Sequence, residues 1–224
     1  MRTLVLGHFF SGGKNMGVKF CFKTPITDPV VIEVAKRMVD KYPTPDNQYE
    51  FALMILDFSD ESEYRLMFDA LKKASESDHP DATHLLGTCY SRGWGVEKDE
   101  KKGVELYIKS AEMGSISGCF SAGNELLLGK RIDPDYSRAY TYLKKAADDG
   151  DERAFNSLGI MYLYGYHVEQ NLRAARRLFK KSARKGNEQA KLNLEMMKIL
   201  GKNPDLSDMK ILMPSERQKG GGVQ

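Results

Sequence analysis

Residues 82–114 read ATHLLGTCYSRGWGVEKDEKKGVELYIKSAEMG. From Ala82 to Arg92, the residues Leu86, Gly87 and Tyr90 share one face at helical spacing. Gly93 then offers the left-handed backbone that ends many helices. The loop GWGVEKD follows and closes on Asp99, whose carboxylate can accept from the free N–H groups that open a second helix. That helix carries Val104, Leu106, Tyr107, Ser110 and Ala111, and it ends at Gly114. Small residues at 87, 103 and 111 let two helices approach closely, and large ones at 90, 106 and 107 fill the space between them. The stretch therefore predicts a helix-turn-helix unit.

The unit recurs with a period of 36 residues. Lysines fall at 73, 109, 145 and 181, and glycines at 87, 123 and 159, at 93, 129 and 165, and at 114, 150 and 186. The cap position reads Asp99, Asp135, Asn171, and the β-branched position before it reads Val96, Ile132, Val168. Residues 46–81 form a degenerate first unit, with Phe51 for the helix glycine and Asp78 for the terminal one. Pro80 and Pro134 are expected in the connections. Atypical ends are what a stacked array needs to close its core.

The predicted organisation is a leader over 1–27, a capping helix and linker over 28–45, and a solenoid over 46–201. The solenoid divides into units 46–81, 82–117, 118–153 and 154–189, with a capping helix over 190–201 closed by Gly201. A flexible tail over 202–224 completes the chain. The fold class is all-α: a right-handed superhelical α/α solenoid of four 36-residue units behind a short non-helical leader.

The pattern A-x-x-x-L-G-x-x-Y-x-x-G-x-G-V-x-x-D, followed by K-S-A and a closing glycine, resembles the Sel1-like repeat, a relative of the tetratricopeptide repeat. Residues 154–186 match nearly as well as 82–114, whereas 118–150 has Leu126 for the tyrosine. The second loop glycine is Arg131 and His167 in the later units, which bears on loop geometry and not on the fold. The resemblance implies a non-enzymatic scaffold or adaptor that binds a protein or peptide along its concave face. An organellar assembly factor, with the leader as a targeting segment, is the alternative it leaves open. It implies no cofactor.

The 34 basic and 31 acidic residues nearly balance, so global charge does not point to nucleic acid. Cys21, Cys89 and Cys119 are too few and too scattered for a disulfide framework, and no CxxC suggests zinc. A reducing, cytoplasmic setting is expected, with a mitochondrial one as the alternative, because the first 27 residues hold no acid. No apolar run reaches membrane-spanning length. The opening TLVLGHFFSGGKN imitates a phosphate loop, but five residues separate Gly7 from Gly13, and Asn15 stands where a hydroxyl would hold magnesium. SGGKN fits better as a hairpin turn between TLVLGHFF and MGVKFCFK, or as part of a targeting leader.

Positions that vary between units are free to read a partner. His84, Phe120 and Asn156 form one such set; Thr88, Asn124 and Ile160 a second; Arg92, Leu128 and Tyr164 a third; Trp94, Lys130 and Tyr166 a fourth. Trp94, Arg92, Tyr164 and Tyr166 are the expected anchors, because Trp, Tyr and Arg dominate interfaces. Trp94 packing over its own loop is the competing expectation. The second helix of the last full unit is basic, with Arg173, Arg176, Arg177, Lys180, Lys181, Arg184 and Lys185, a solvated face or a dock for an acidic partner. It lacks the interleaved aromatics that stack bases, which argues against nucleic acid. No catalytic or metal-binding residues are expected; the S-x-x-K of Ser182 to Lys185 falls on repeat positions and reads as accidental.

Overall fold

The computed structural model of the protein describes residues 5–7, 19–21, 29–56 and 61–202. The stretch SGGKN, expected to turn a hairpin, and residues 203–224 lie outside the described residues, as does most of the leader. Among the described residues, ten helices follow a two-stranded ribbon of β1 (Val5–Gly7) and β2 (Lys19–Cys21). They are α1 (Pro29–Lys41), α2 (Pro45–Ile55), α3 (Glu61–Glu76), α4 (Pro80–Arg92), α5 (Glu100–Glu112) and α6 (Ile116–Leu128). The remainder are α7 (Tyr136–Asp148), α8 (Glu152–Tyr164), α9 (Leu172–Arg184) and α10 (Glu188–Lys202). The architecture is an all-α helical repeat solenoid. The chain divides into two compact units, residues 1–118 and 119–224.

In the first unit β1 and β2 pair antiparallel, with Leu6 opposite Phe20, and β2 lies beside α2. The core is built from one face each of α1 to α4, through residues such as Ala35, Ile55, Leu71 and Cys89. Helices α4 and α5 touch through glycine: a Cβ on Gly87 would lie 2.9 Å from the Gly103 carbonyl oxygen. The second unit repeats the device, since a Cβ on Gly123 would lie 2.8 Å from Leu143 Cγ, and one on Gly159 would enter the Phe179 ring. Phe179, Leu143 and Met161 are fully buried there.

The expected caps are in place. Asp99 Oδ1 accepts from Lys102 N at 2.9 Å, Asp135 Oδ1 from Arg138 N at 3.0 Å, and Asn171 Oδ1 from Ala174 N at 2.9 Å. Gly93, Gly129 and Gly165 end their helices with φ of 76°, 60° and 74°. In each compact unit a buried serine of a second helix clamps the first turn of the helix it pairs with. Ser110 Oγ donates to the Pro80 carbonyl at 2.8 Å, and Ser182 Oγ donates to the Glu152 carbonyl.

Two expectations need correction. Pro80 is not in a connection but is the first residue of α4, as Pro45 is of α2. The N–H that proline lacks has no intrahelical acceptor at that position, so the helix loses nothing. Gly201 does not close the last helix: α10 begins at Glu188 and runs through Gly201 to Lys202.

Candidate functional site

The loop aromatics are seated on rings of the preceding repeat. Trp94 stacks on Tyr64 of α3, with centroids 5.4 Å apart and planes 9° apart, and the Arg92 guanidinium lies 4.8 Å from its ring. In the second unit Tyr166 stacks on Tyr136 of α7 at 4.5 Å and 2°. Tyr164 stacks on Tyr166 at 5.5 Å. The two stacks are equivalent, because 94 and 166 are two periods apart, and so are 64 and 136. Trp94 is half-buried against the first unit's core, so packing claims one of its faces.

The second unit adds rings to its stack. The hydroxyls of Tyr140 and Tyr162 lie 3.4 Å apart, and that hydrogen bond, with burial, raises the Tyr140 pKa. His167 sits 5.5 Å from the Tyr140 ring. Five tyrosines and a histidine therefore gather where the first two turns of α7 meet the end of α8 and its loop. Tyr136, Tyr140, Tyr162, Tyr164 and Tyr166 are all half-buried, so each keeps an edge in water. Sequence reasoning had singled out Tyr164 and Tyr166; Tyr64, Tyr136, Tyr140 and Tyr162 were missed. The signal was available as two aromatic pairs with the same 30-residue offset, Tyr64 to Trp94 and Tyr136 to Tyr166.

The first-helix positions are less free than their variability suggests. In the first unit His84 tilts against Tyr107 at 5.3 Å, and Tyr107 Oη donates to Thr88 Oγ1 at 3.3 Å. In the second unit Asn124 Oδ1 accepts from Ser157 Oγ at 3.3 Å. Asn156 is only 8 % exposed, and its Oδ1 accepts from Asn193 Nδ2 at 2.9 Å. It ties α8 to α10 and offers little to a partner, because a buried amide must find its bonds inside the fold. The Phe120 ring lies under the Arg153 guanidinium at 4.1 Å. Ile160 packs on the core of α8 and α9, Leu128 is half-buried at the end of α6, and Lys130 is exposed.

All seven cations read from the sequence on and beside α9 are exposed. Lys181 Nζ sits 3.9 Å over the Phe155 ring, and Lys185 Nζ donates to the Gly150 carbonyl at 2.9 Å. Arg173, Arg176, Arg177, Lys180 and Arg184 form no ion pair among the described residues.

Among the described residues, the serine and cysteines considered as nucleophiles are held inside the fold. Ser182 is fully buried with its hydroxyl on a backbone carbonyl, so the S-x-x-K resemblance describes a helix clamp. Burial pushes the Cys89 thiol up to about 12 and also raises that of Cys119, leaving both poor nucleophiles. No group of three or more His, Cys, Asp and Glu residues among the described residues is placed to hold a metal. A cleft of about 370 Å³ in the first unit is lined by Tyr49, Pro80, Asp81 and the turn from α5 to α6. Its carboxylate is engaged, with Asp81 Oδ1 accepting from Ser115 Oγ at 2.6 Å.

The Sel1 repeat family matches this chain over residues 80–115, 116–151 and 156–187. The first two matched segments span α4 with α5 and α6 with α7, and the third begins within α8 and ends just after α9. The chain is a Sel1-like repeat protein. Solved Sel1 structures share the architecture. A Sel1 repeat protein from Oxalobacter formigenes is 23 % identical, with 76 % of each chain covered and a TM-score of 0.61. The protein c5321, a protective antigen of uropathogenic Escherichia coli with an SLR fold, is 26 % identical with a TM-score of 0.63. That likeness covers 77 % of this Sel1-like protein and 37 % of the antigen. No curated protein matches the sequence. Sel1 repeat proteins are generally protein-interaction scaffolds and generally non-catalytic. No helix among the described residues is long and apolar enough to cross a membrane.

Proposed function

We propose that this Sel1-like protein is a non-enzymatic scaffold that docks a protein or peptide partner on the tyrosine platform of its second unit. The observation that carries this reading is the stack of Tyr164 on Tyr166 on Tyr136, held rigid by ring contacts while its edges stay in water. Rings fixed before binding lose little conformational freedom on association, so the contact area they offer converts efficiently into affinity. Cysteines few and scattered in the sequence fit a reducing compartment, and we place the protein in the cytoplasm.

The test is native co-purification of the tagged full chain beside a Tyr164→Ala/Tyr166→Ala variant. A stoichiometric protein partner retained by the parent and lost by the variant, with helicity unchanged by circular dichroism, is the expected result. A partner retained equally by both removes the platform from the interface.

A further inference from the structure

We infer that the exposed face of α9 is a separate docking surface for an acidic protein segment, one that presents carboxylates to an arginine-rich stripe. Arg173, Arg177, Lys180 and Arg184 follow one another at intervals of four, three and four residues, so they line a single helical face. The stripe is roughly 16 Å long at the helical rise. Arg176 flanks it. No acidic residue occurs from Gln170 to Asn187.

A merely solvated face does not account for this pattern, and the sister helices show why. The position of Arg177 is Glu105 in α5 and Thr141 in α7; that of Arg184 is Glu112 and Asp148. In α7 the equivalent spacing forms an ion pair, Lys144 Nζ to Asp148 Oδ2 at 2.6 Å. In α9 it sets Lys180 beside Arg184. Like charges at this spacing destabilise a helix instead of supporting it. Arg173 in the first turn also opposes the helix dipole. The repeat thus carries a charge pattern that its own fold disfavours, with arginine at two positions, 177 and 184, where one or both sister helices place an acid.

The chemistry of the stripe selects its occupant. Four of the five cations that form no ion pair among the described residues are arginines, whose planar forks match carboxylates two bonds at a time. A membrane is the poorer fit. The apolar side of α9, through Ala175 and Phe179, is buried in the repeat, and only Leu172 at its first residue is an exposed large apolar side chain. An interfacial helix needs such side chains along its length. A single-stranded nucleic acid is disfavoured because the one aromatic ring of α9, Phe179, is fully buried.

The experiment is fluorescence anisotropy of a labelled eight-residue polyglutamate peptide titrated with the full chain. Arg177→Glu/Arg184→Asp is the test variant, because it installs residues that α5 and α7 already carry at these positions. Lys72→Glu/Lys73→Glu on α3 changes the net charge equally elsewhere and serves as the control. The expected result is at least tenfold weaker binding by the α9 variant and less than a threefold change in the control. The α9 variant should melt no lower than the parent, which separates lost docking from lost fold. Equal weakening in both variants overturns the proposal, since it reduces the effect to net charge. Absence of peptide binding, or tighter binding to phosphatidylserine vesicles or to oligouridine than to the peptide at equal anionic charge, overturns it as well.

Discussion

Asp78 stands where its sister repeats carry Gly114, Gly150 and Gly186, and it takes the left-handed backbone those glycines take, with φ of 57° against 99–100°. A side chain in that region crowds the following carbonyl. Asp78→Gly is therefore expected to raise stability by about 1 kcal/mol, read as a higher urea midpoint. The side chain itself contributes little in return, because its contact with Lys109 Nζ is exposed and 3.6 Å long. Gly95 shows the converse: a Cβ there would run into the Tyr64 carbonyl, so loop and ring are fitted to each other. At this scale the glycines were legible in the sequence because their conformation depends on the residue alone. The stacks were not, because Trp94 and Tyr166 each meet a ring 30 residues upstream. The stack of Tyr136 and Tyr166 should show a coupling of about 1 kcal/mol in a double-alanine cycle on unfolding. Additive single variants would mean the rings lie side by side without interacting.

Helix starts show the same limit one scale up. The second helices open on Asp99, Asp135 and Asn171, a set uniform enough to read from the sequence. The first helices also open on caps one period apart, namely His79, Ser115, Asp151 and Asn187. Four residue types do one task there, so no pattern announced it. Asp151 is the most elaborate, accepting from Arg153 N, Ala154 N and the Arg153 guanidinium. Partial burial pushes its carboxyl up, but the arginine and the two N–H groups outweigh burial and leave its pKa below the ordinary carboxylate range. A depressed folded-state pKa means the stabilisation is complete above the unfolded carboxylate pKa. It is lost as pH falls through the lower folded value. Asp151→Asn keeps a capping oxygen and removes the charge. Its deficit in melting temperature against the parent should be largest near neutrality and should shrink as pH drops below the ordinary carboxylate range. A deficit independent of pH would assign the effect to geometry.

On the scale of the molecule, 36-residue periodicity made the architecture legible, because a repeat that stacks on its neighbours must conserve the contact positions and little else. The positions left variable were expected to face a partner. Several instead brace one helix against the next, as Asn156 does, since side chains bonded in pairs can vary together without harming the stack. A nearest-neighbour array also confines damage. Phe179→Ala, at a fully buried position, should cost about 3–5 kcal/mol. That loss should appear as faster amide exchange in α8, α9 and α10, while α2 and α3 keep their protection. The functional claim concerns a more restricted place, the tyrosine platform. Its most direct test is amide hydrogen exchange of the full chain with and without the co-purified partner. Protection concentrated in residues 136–140 and 162–167 is the result the account predicts. Protection absent there and present elsewhere would contradict it.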